Sequence, residues 1–425
     1  MSFFANPEED RWLLPDGIEE LLPEDAERLE CLRRRVLDLF AVWGYRLVMP
    51  PMIEFIDSLL TGAGRDLDLQ TFKLIDQISG RLLGLRADMT PQVARIDART
   101  HRGDIPARFC YLGTVLHTQA DHLENSRSPM QVGAELYGHG GIASDLEIIR
   151  LMLEVLAAVG IEEVHLDLGH VGIFRGLARQ AGLSSEQEAQ LFSLLQQKAR
   201  PELMAVIDAM GIRAPVAGML LDLVELNGGR EVIAKARQRL AAADESVHSA
   251  LDQLDTLAGA LSARCASVPV HFDLAELRGY HYQTGVVFAA FIPGYGREIA
   301  RGGRYDDIGK VFGKARPATG FSADLKVLLR FSKVSEPCVG VTADAIFAPA
   351  VDDPGLVEAV RMLRGAGHAV VEALPGQDGG AAELGCRYEL RLRRGCWERV
   401  AVAGETAETE GSRTTQASNP PGSKV

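Results

Sequence analysis

Cysteine, long apolar runs and positive charge are all scarce in this sequence, and each scarcity excludes a class of protein. The 425 residues include only six cysteines, far apart and without Cys-x-x-Cys spacing, so we expect no zinc or other metal site. No run reaches the ~18 apolar residues that span a bilayer, and the opening MSFFANPEEDRW lacks the regions of a signal peptide. Lys and Arg number 45 against 58 Asp and Glu, a net charge of −13, so there is no general basic coating for nucleic acid. We therefore expect a protein of the reducing cytoplasm, with no membrane partner.

The motifs of several common enzyme classes are also missing. There is no Gly-x-x-x-x-Gly-Lys-[Ser/Thr] phosphate loop, no Gly-x-Gly-x-x-Gly turn after a strand, no Gly-x-Ser-x-Gly elbow and no His-Glu-x-x-His helix. Asp352 and Asp353 follow an apolar strand, as a ribose-binding acidic pair would, but Pro-Gly follows where a phosphate loop needs Thr-Gly. We interpret the pair as an acidic helix start, favoured by the helix dipole. No cofactor is predicted.

What the sequence does contain is a series of strands in hairpin order with helices between them. Apolar residues recur at helical spacing over 24–43, and strands are expected at 108–118 and 129–138. This order predicts an α+β fold, an antiparallel sheet flanked by helices.

The pattern also predicts how the chain divides. Residues 171–263 are helical in pattern and lie between strands, so we interpret them as a helical insertion within a core that covers 1–335. A strand, a helix and another strand within 340–403 predict a small α/β module. Residues 404–425 have almost no apolar content and predict a disordered tail.

Four segments carry residues suited to chemistry. They are LRADMT (85–90), QVGAELYG (131–138), LRGYHYQTGVVF (277–288) and ARGGRYDDIG (300–309). Each has a purely structural explanation by itself, since a lone glutamate on a strand is commonly a salt-bridge partner and Gly-Gly commonly marks a bulge. Together they offer two acids, an amide, an arginine and two tyrosines, a set that suits a small zwitterion with a polar side chain.

These segments resemble the catalytic core of class II histidyl-tRNA synthetases over about residues 10–335. LRADMT stands at that family's Leu-Arg-Pro-Glu-Gly-Thr, the Gln…Gly…Glu strand is matched, RGYHYQ stands at Arg-Gly-Leu-Asp-Tyr-Tyr, and Gly-Gly-Arg-Tyr-Asp is intact at 302–306. One departure is Gln283, where the second tyrosine is expected. The resemblance implies a class II aminoacyl-tRNA synthetase-like fold and a histidine-binding set, namely Asp88, Thr90, Gln131, Glu135, Arg278, Tyr282 and Tyr305.

The departures on the ATP side are larger. The family's motif 2 Phe-Arg-x-Glu, whose arginine holds the α-phosphate, reads Leu-His-Thr-Gln here, with His117 and Gln119 at the key positions. The motif 3 arginine aligns with Val327. A guanidinium is permanently charged and bidentate, whereas a histidine with a pKa of ~6.5 is mostly neutral at pH 7 and a valine offers no charge. The resemblance therefore implies an amino-acid pocket without ATP clamps.

This combination resembles the regulatory-subunit family of ATP phosphoribosyltransferase, a non-catalytic branch related to histidyl-tRNA synthetase. The resemblance implies a role in the first step of histidine biosynthesis, a short catalytic subunit as partner, and feedback by L-histidine. It also implies a hetero-oligomer, described in the family as an octamer, and a self-dimer formed through the helix at 24–43 and the strand after it, burying Leu32, Val36 and Val48 or their neighbours. The alternative is that these residues pack solely within one protomer. No tRNA partner is expected. The alternatives are a working histidyl-tRNA synthetase and another aminoacyl-transfer enzyme, and both need the missing arginines.

Overall fold

The computed structural model describes residues 13–61, 65–100, 105–119, 126–276, 279–280, 282–308, 310, 313, 316–334, 344–376 and 378–402. The chain forms two compact units, residues 1–335 and 336–425. The predicted tail, 404–425, and the predicted site residue Arg278 lie outside the described residues.

Twelve strands of the first unit are described. They are β1 (Arg46–Leu47), β2 (Ile53–Phe55), β3 (Lys73–Ile75), β4 (Leu82–Leu85), β5 (Ala107–Thr114), β6 (Met130–Tyr137), β7 (His165–His170), β8 (Asn227–Gly228), β9 (Val270–Asp273), β10 (Val286–Phe291), β11 (Glu298–Arg304) and β12 (Ala318–Asp324).

Nine of these strands build one large sheet, in the order β1-β5-β6-β12-β11-β10-β7-β9-β8. The six strands from β5 to β7 pair antiparallel throughout. The pairs β1–β5 and β7–β9 are parallel, so the sheet is mixed at its two sides and antiparallel where the site lies. The remaining strands form a small antiparallel sheet, β2-β4-β3.

Twelve α-helices of the first unit are described. They are α1 (Pro23–Val42), α2 (Ile56–Leu59), α3 (Arg65–Gln70), α4 (Thr90–Thr100), α5 (Ile142–Ala158), α6 (Val171–Gln180), α7 (Ser185–Gln196), α8 (Arg200–Ala209), α9 (Val216–Asp222), α10 (Glu231–Arg239), α11 (Glu245–Arg264) and α12 (Leu325–Phe331). The six helices α6–α11 lie between β7 and β9 in the chain, and we call them the helical block.

The apolar stripe of α1 packs into the core of its own protomer. Leu32 and Val36 are fully buried together with Phe40, which contacts Phe321 of β12 at 6.2 Å between ring centroids. The expectation that Leu32 and Val36 are buried against a second copy is therefore wrong, because the sheet of the same chain already covers them. Val48 is partly buried and packs against a second apolar cluster, which includes Phe109 and Tyr111 of β5 and Tyr137 of β6.

The second unit is a four-stranded sheet with one described helix. Its strands are β13 (Ile346–Ala348), β14 (Val370–Glu372), β15 (Tyr388–Arg393) and β16 (Cys396–Ala401), in the order β14-β13-β15-β16, and its helix is α13 (Pro354–Gly365). The Asp353 side chain caps α13 by accepting from the amides of Gly355 at 2.6 Å and Leu356 at 3.2 Å. The interpretation of the acidic pair as a helix start is therefore confirmed. No described helix of the chain is long and apolar enough to cross a membrane.

Candidate functional site

Glycines leave room for a carboxylate across the middle of the large sheet. Gly303 of β11 pairs with Gly320 of β12, and Gly320 pairs with Glu135 of β6. A Cβ atom on Gly320 would stand 1.5 Å from Glu135 Oε2, and one on Gly303 would stand 2.5 Å from the Oε1 atom of Gln283. Neither glycine has a positive φ, so both are required by close approach and not by backbone conformation. We call this pair the glycine floor.

The Glu135 carboxylate is buried among hydroxyl donors. Its Oε1 accepts from the Tyr111 hydroxyl at 3.0 Å and from Thr90 Oγ1 at 3.1 Å, and its Oε2 accepts from the Tyr305 hydroxyl. The Tyr137 and Tyr305 hydroxyls lie 3.4 Å apart. Burial raises the pKa of Glu135 to about 8, although the three hydroxyl bonds oppose the rise.

A second carboxylate lies at the amino end of α4. Asp88 Oδ1 accepts from the amide of Thr90 at 3.0 Å and from Gln131 Nε2 at 2.7 Å. The other atom of that amide, Gln131 Oε1, accepts from the Met89 amide at 2.9 Å. Gln131 and Glu135 are two apart from Gly133 on β6 and share a face of the strand, so the structure brings Asp88, Gln131 and Glu135 to the same side of the sheet.

The loop before β10 lies beside the glycine floor. The Tyr282 ring packs edge-on against Tyr305, with centroids 6.2 Å apart, and 40% of Tyr282 is exposed. Gln283 is only 4% exposed. The structure therefore brings together six of the seven predicted histidine-binding residues, and the seventh, Arg278, is outside the description.

The same loop is tied to the helical block. Arg175 of α6 donates to the carbonyl oxygens of Gln283, at 2.6 Å, and of Tyr280. The Tyr280 ring is buried between α6 and α7, with its centroid 5.4 Å from that of Phe174 and its hydroxyl donating to Glu188. We call these contacts the Tyr280 anchor.

The predicted ATP side is built differently. His117 is half-buried, and its Nε2 lies 2.9 Å from the Ala87 carbonyl oxygen. Gln119 is exposed, and Val327 packs against the main apolar core. None of these three side chains carries a fixed positive charge.

The arginines near this region make bonds within the protein. Arg86 is buried and donates to the carbonyl oxygens of Thr114 at 2.9 Å and Pro50 at 2.7 Å. Arg127 donates to the carbonyl oxygens of His117 and Asp16, each at 3.1 Å. These guanidinium groups stabilise loops through main-chain oxygens.

Sequence reasoning missed Tyr111, which completes the Glu135 site, and assigned no role to Arg304. Tyr111 follows the alternation of β5 toward Glu135, a signal that could have identified it once β5 and β6 were paired. Arg304 was considered with Tyr305, but it turns to the opposite face and forms a buried ion pair with Asp145 at 3.0 Å. Adjacent residues of an extended segment point to opposite faces, which separates the two roles.

The antiparallel centre of the sheet, its flanking helices and the buried acidic pocket define a class II aminoacyl-tRNA synthetase-like core. A family model for histidyl-tRNA synthetase matches residues 17–328, and one for the C-terminal domain of ATP phosphoribosyltransferase subunit HisZ matches residues 343–400. An ATP phosphoribosyltransferase regulatory subunit of Methylococcus capsulatus is 72% identical over 95% of this chain and 99% of its own length. One from Pseudomonas aeruginosa is 56% identical over 93% and 99%.

A solved structure agrees with these matches. A Bacillus halodurans protein titled as an ATP phosphoribosyltransferase regulatory subunit/histidyl-tRNA synthetase is 28% identical, with a TM-score of 0.77, over 88% of this chain and 95% of that one. The chain belongs to the family of ATP phosphoribosyltransferase regulatory subunits. The predictions of a class II synthetase-like fold and of a non-catalytic regulatory subunit of histidine biosynthesis are confirmed.

Proposed function

We propose that the pocket at Glu135 binds L-histidine, and that its occupancy regulates a short catalytic subunit of ATP phosphoribosyltransferase with which this chain assembles in the cytoplasm. One observation carries the proposal. A buried carboxyl group with three hydroxyl partners lies over the glycine floor. The three residues at the neighbouring ATP positions, His117, Gln119 and Val327, carry no guanidinium group. A pocket of this kind can bind an amino acid but cannot stabilise the charge of adenylate formation.

Each charged part of histidine has a candidate partner. Asp88 and Glu135 face the ammonium group, with Asp88 as its charged partner and Glu135 as a hydrogen-bond acceptor, and Gln131 adds a hydrogen bond. We expect Arg278, which the resemblance places at the same loop, to bind the carboxylate as a charge-assisted pair. Tyr282 and Tyr305, with their rings packed against each other, would flank the imidazole.

Calorimetry with L-histidine tests this assignment. We expect the wild-type chain to bind, and Asp88→Ala, Glu135→Ala and Arg278→Ala each to weaken binding by about thirtyfold or more. Asp88→Ala and Arg278→Ala each leave a ligand charge unpaired, and Glu135→Ala removes a buried hydrogen-bonding partner. Asp76→Ala, in the exposed turn between β3 and β4, is the matched control and should bind as the wild type does. The same variants, assembled with the catalytic subunit, should lose inhibition by histidine in parallel. If all three retain binding and inhibition, the pocket is only an inherited scaffold.

We propose further that two copies of the chain pair through the segment from β1 to β4. Exposed apolar side chains follow one another there, and they are Leu47, Met49, Met52, Ile53, Ile75, Ile78 and Leu82. Met49 is 80% exposed and Ile78 is 98% exposed. Several exposed apolar side chains in one region are the usual mark of a protein interface. This surface replaces Leu32 and Val36 as the expected contact.

Light scattering at micromolar concentration tests the pairing. Met49→Lys and Ile78→Lys together should convert a dimer to a monomer. Met204→Lys, at a half-exposed methionine of α8 in the helical block, is the control and should leave the mass unchanged. A monomeric wild type would refute the self-dimer, and co-purification of the catalytic subunit at measured mass ratios tests the proposed hetero-octamer.

A further inference from the structure

One buried polar atom beside the pocket has no partner. The Oε1 atom of Gln283 finds no hydrogen-bond donor among the residues that the structure describes, although the residue is 4% exposed. A buried acceptor left unsatisfied costs about 1–3 kcal/mol, so such an atom in a folded protein calls for an explanation.

The position of this oxygen supplies one. It stands 2.5 Å from where a Cβ of Gly303 would be, and Glu135 Oε2 stands 1.5 Å from where a Cβ of Gly320 would be. Cβ positions on directly paired strand residues are about 5 Å apart. The glycine floor therefore has an acceptor oxygen over each of its two residues, with no floor side chain between them.

The surrounding contacts hold the oxygen in this place. Arg175 donates to the main-chain oxygen of Gln283 at 2.6 Å, and the Tyr280 anchor fixes the loop three residues earlier. The atom that lies over Gly303 is the amide oxygen Oε1, and it is the acceptor without a partner among the described residues.

We propose that Gln283 determines specificity by accepting the ring N–H of bound histidine on its Oε1 atom. This inference rests on the proposed function. A neutral imidazole has a single N–H donor, which an apolar ring of similar size lacks. The ammonium already has Asp88 and Glu135 as its proposed partners, with a hydrogen bond from Gln131, which leaves the ring as the partner of Gln283.

Binding of L-histidine and of 2-thienylalanine, whose ring has no N–H, tests the proposal. We expect the wild-type chain to prefer histidine by about a hundredfold or more, because sites built to bond an N–H reject analogues that lack it. Gln283→Met has a similar shape and no acceptor oxygen. It should bind histidine about tenfold or more weakly, and the ratio of the two affinities should fall by a similar factor.

Gln92→Met is the matched control. Gln92 is 1% exposed, its Oε1 also lacks a partner among the described residues, and its amide nitrogen bonds Glu54 at 2.7 Å in a different part of the core. This variant should lose stability without a change in the affinity ratio.

The outcomes separate the two proposals. If the wild type binds no histidine, the proposed function fails. If it binds histidine and thienylalanine equally, or if Gln283→Met leaves the ratio unchanged, histidine binding stands and the role of Gln283 is refuted. Equal affinity of the wild type for the two ligands would refute the role of Gln283 even if Gln283→Met does not fold.

Discussion

The proposed amino-acid side of this site, around Glu135, and the predicted nucleotide side, around His117, lie on one sheet but differ in how their polar groups are bonded. Around Glu135, three hydroxyls converge on one buried carboxyl group, which fills the space over Gly320 of the glycine floor. Around His117, the nearby guanidinium groups donate to main-chain oxygens of the protein itself. On the Glu135 side the polar side chains are bonded to one another, whereas on the His117 side the guanidinium groups are bonded to the backbone.

The largest effect that this comparison predicts is the absence of histidine activation by ATP. Without guanidinium clamps at His117 and Val327, histidine-dependent ATP–pyrophosphate exchange should be at least about 10⁴-fold below that of a synthetase, since each lost donor removes about 10²–10³. A histidyl-tRNA synthetase assayed in parallel is the positive control. His117→Arg combined with Val327→Arg should not restore exchange, because Val327 packs against the core and Gln119 has also changed. Exchange at about 1–10 s⁻¹ by the wild type would remove the distinction between the two halves.

The glycine floor should be the most sensitive structural position. Gly320→Ala places a methyl group 1.5 Å from Glu135 Oε2 and 2.8 Å from the Ala134 carbonyl oxygen. We expect the free energy of unfolding to fall by about 3 kcal/mol, the upper range for overpacking, measured by urea denaturation. Gly218→Ala in α9, where a Cβ meets nothing within 4 Å, is the control and should be neutral or stabilising. Equal stability of the two variants would mean that the floor is not tightly packed.

The hydroxyl bond from Tyr305 to Glu135 should contribute less. Tyr305→Phe removes one donor from a buried carboxylate, so the pKa of Glu135 should rise further above its usual range. At pH 8 the free energy of unfolding should fall by about 2 kcal/mol, a typical value for a hydrogen bond to a charged group. Tyr137→Phe is the matched control, because the Tyr137 hydroxyl lies beside that of Tyr305 and makes no described bond to the carboxylate. If both variants lose the same amount, ring packing and not the hydroxyl bond explains the loss.

The smallest predicted effect is a dependence of stability on pH. Burial raises the pKa of Glu135 to about 8, from about 4.5 when exposed. The folded chain holds a proton that the unfolded chain releases between these values, so the free energy of unfolding falls as pH rises through that window. Glu135→Gln should abolish this contribution and gain about 1 kcal/mol over the wild type between pH 5 and pH 6.

Comparing the wild type with Glu135→Gln at each pH cancels the contributions of other titrating groups to the free energy of unfolding. Burial lowers the pKa of His170 to about 4, which raises the free energy of unfolding with pH and acts equally in both chains. A difference between wild type and Glu135→Gln that stays constant with pH would show that Glu135 is ionised throughout.

Periodicity predicted the elements well and their partners poorly. The helix expected at 24–43 is Pro23–Val42, and the strand expected at 108–118 begins at Ala107 but ends at Thr114. An apolar stripe shows that a face is buried but not whether its own sheet or a second copy covers it, so Leu32 and Val36 were assigned to the wrong neighbour. The parallel pairings of β1 with β5 and of β9 with β7 join strands that are distant in sequence, and local patterns do not encode such pairings.

The site shows the same division. Asp88, Gln131 and Glu135 could be identified because each follows a motif and because strand alternation puts the last two on one face. Tyr111 was missed because its role depends on the pairing of β5 with β6. Gln283 differs from the expected tyrosine, and the sequence could show the substitution but not the burial of its amide oxygen, which is a property of the packed loop.

The Tyr280 anchor connects the loop beside Glu135 to helices α6 and α7 of the helical block. Arg175 and Glu188 hold the loop that carries Tyr282, so the loop can move only if these bonds break or the helices follow it. A molecule that binds the block and favours one position of α6 and α7 changes the affinity of the pocket. The pocket's ligand must then change the affinity of that molecule by the same factor. Regulation through these contacts would be reciprocal: binding at the helical block would change the affinity of the pocket, and binding in the pocket would change the affinity of the block.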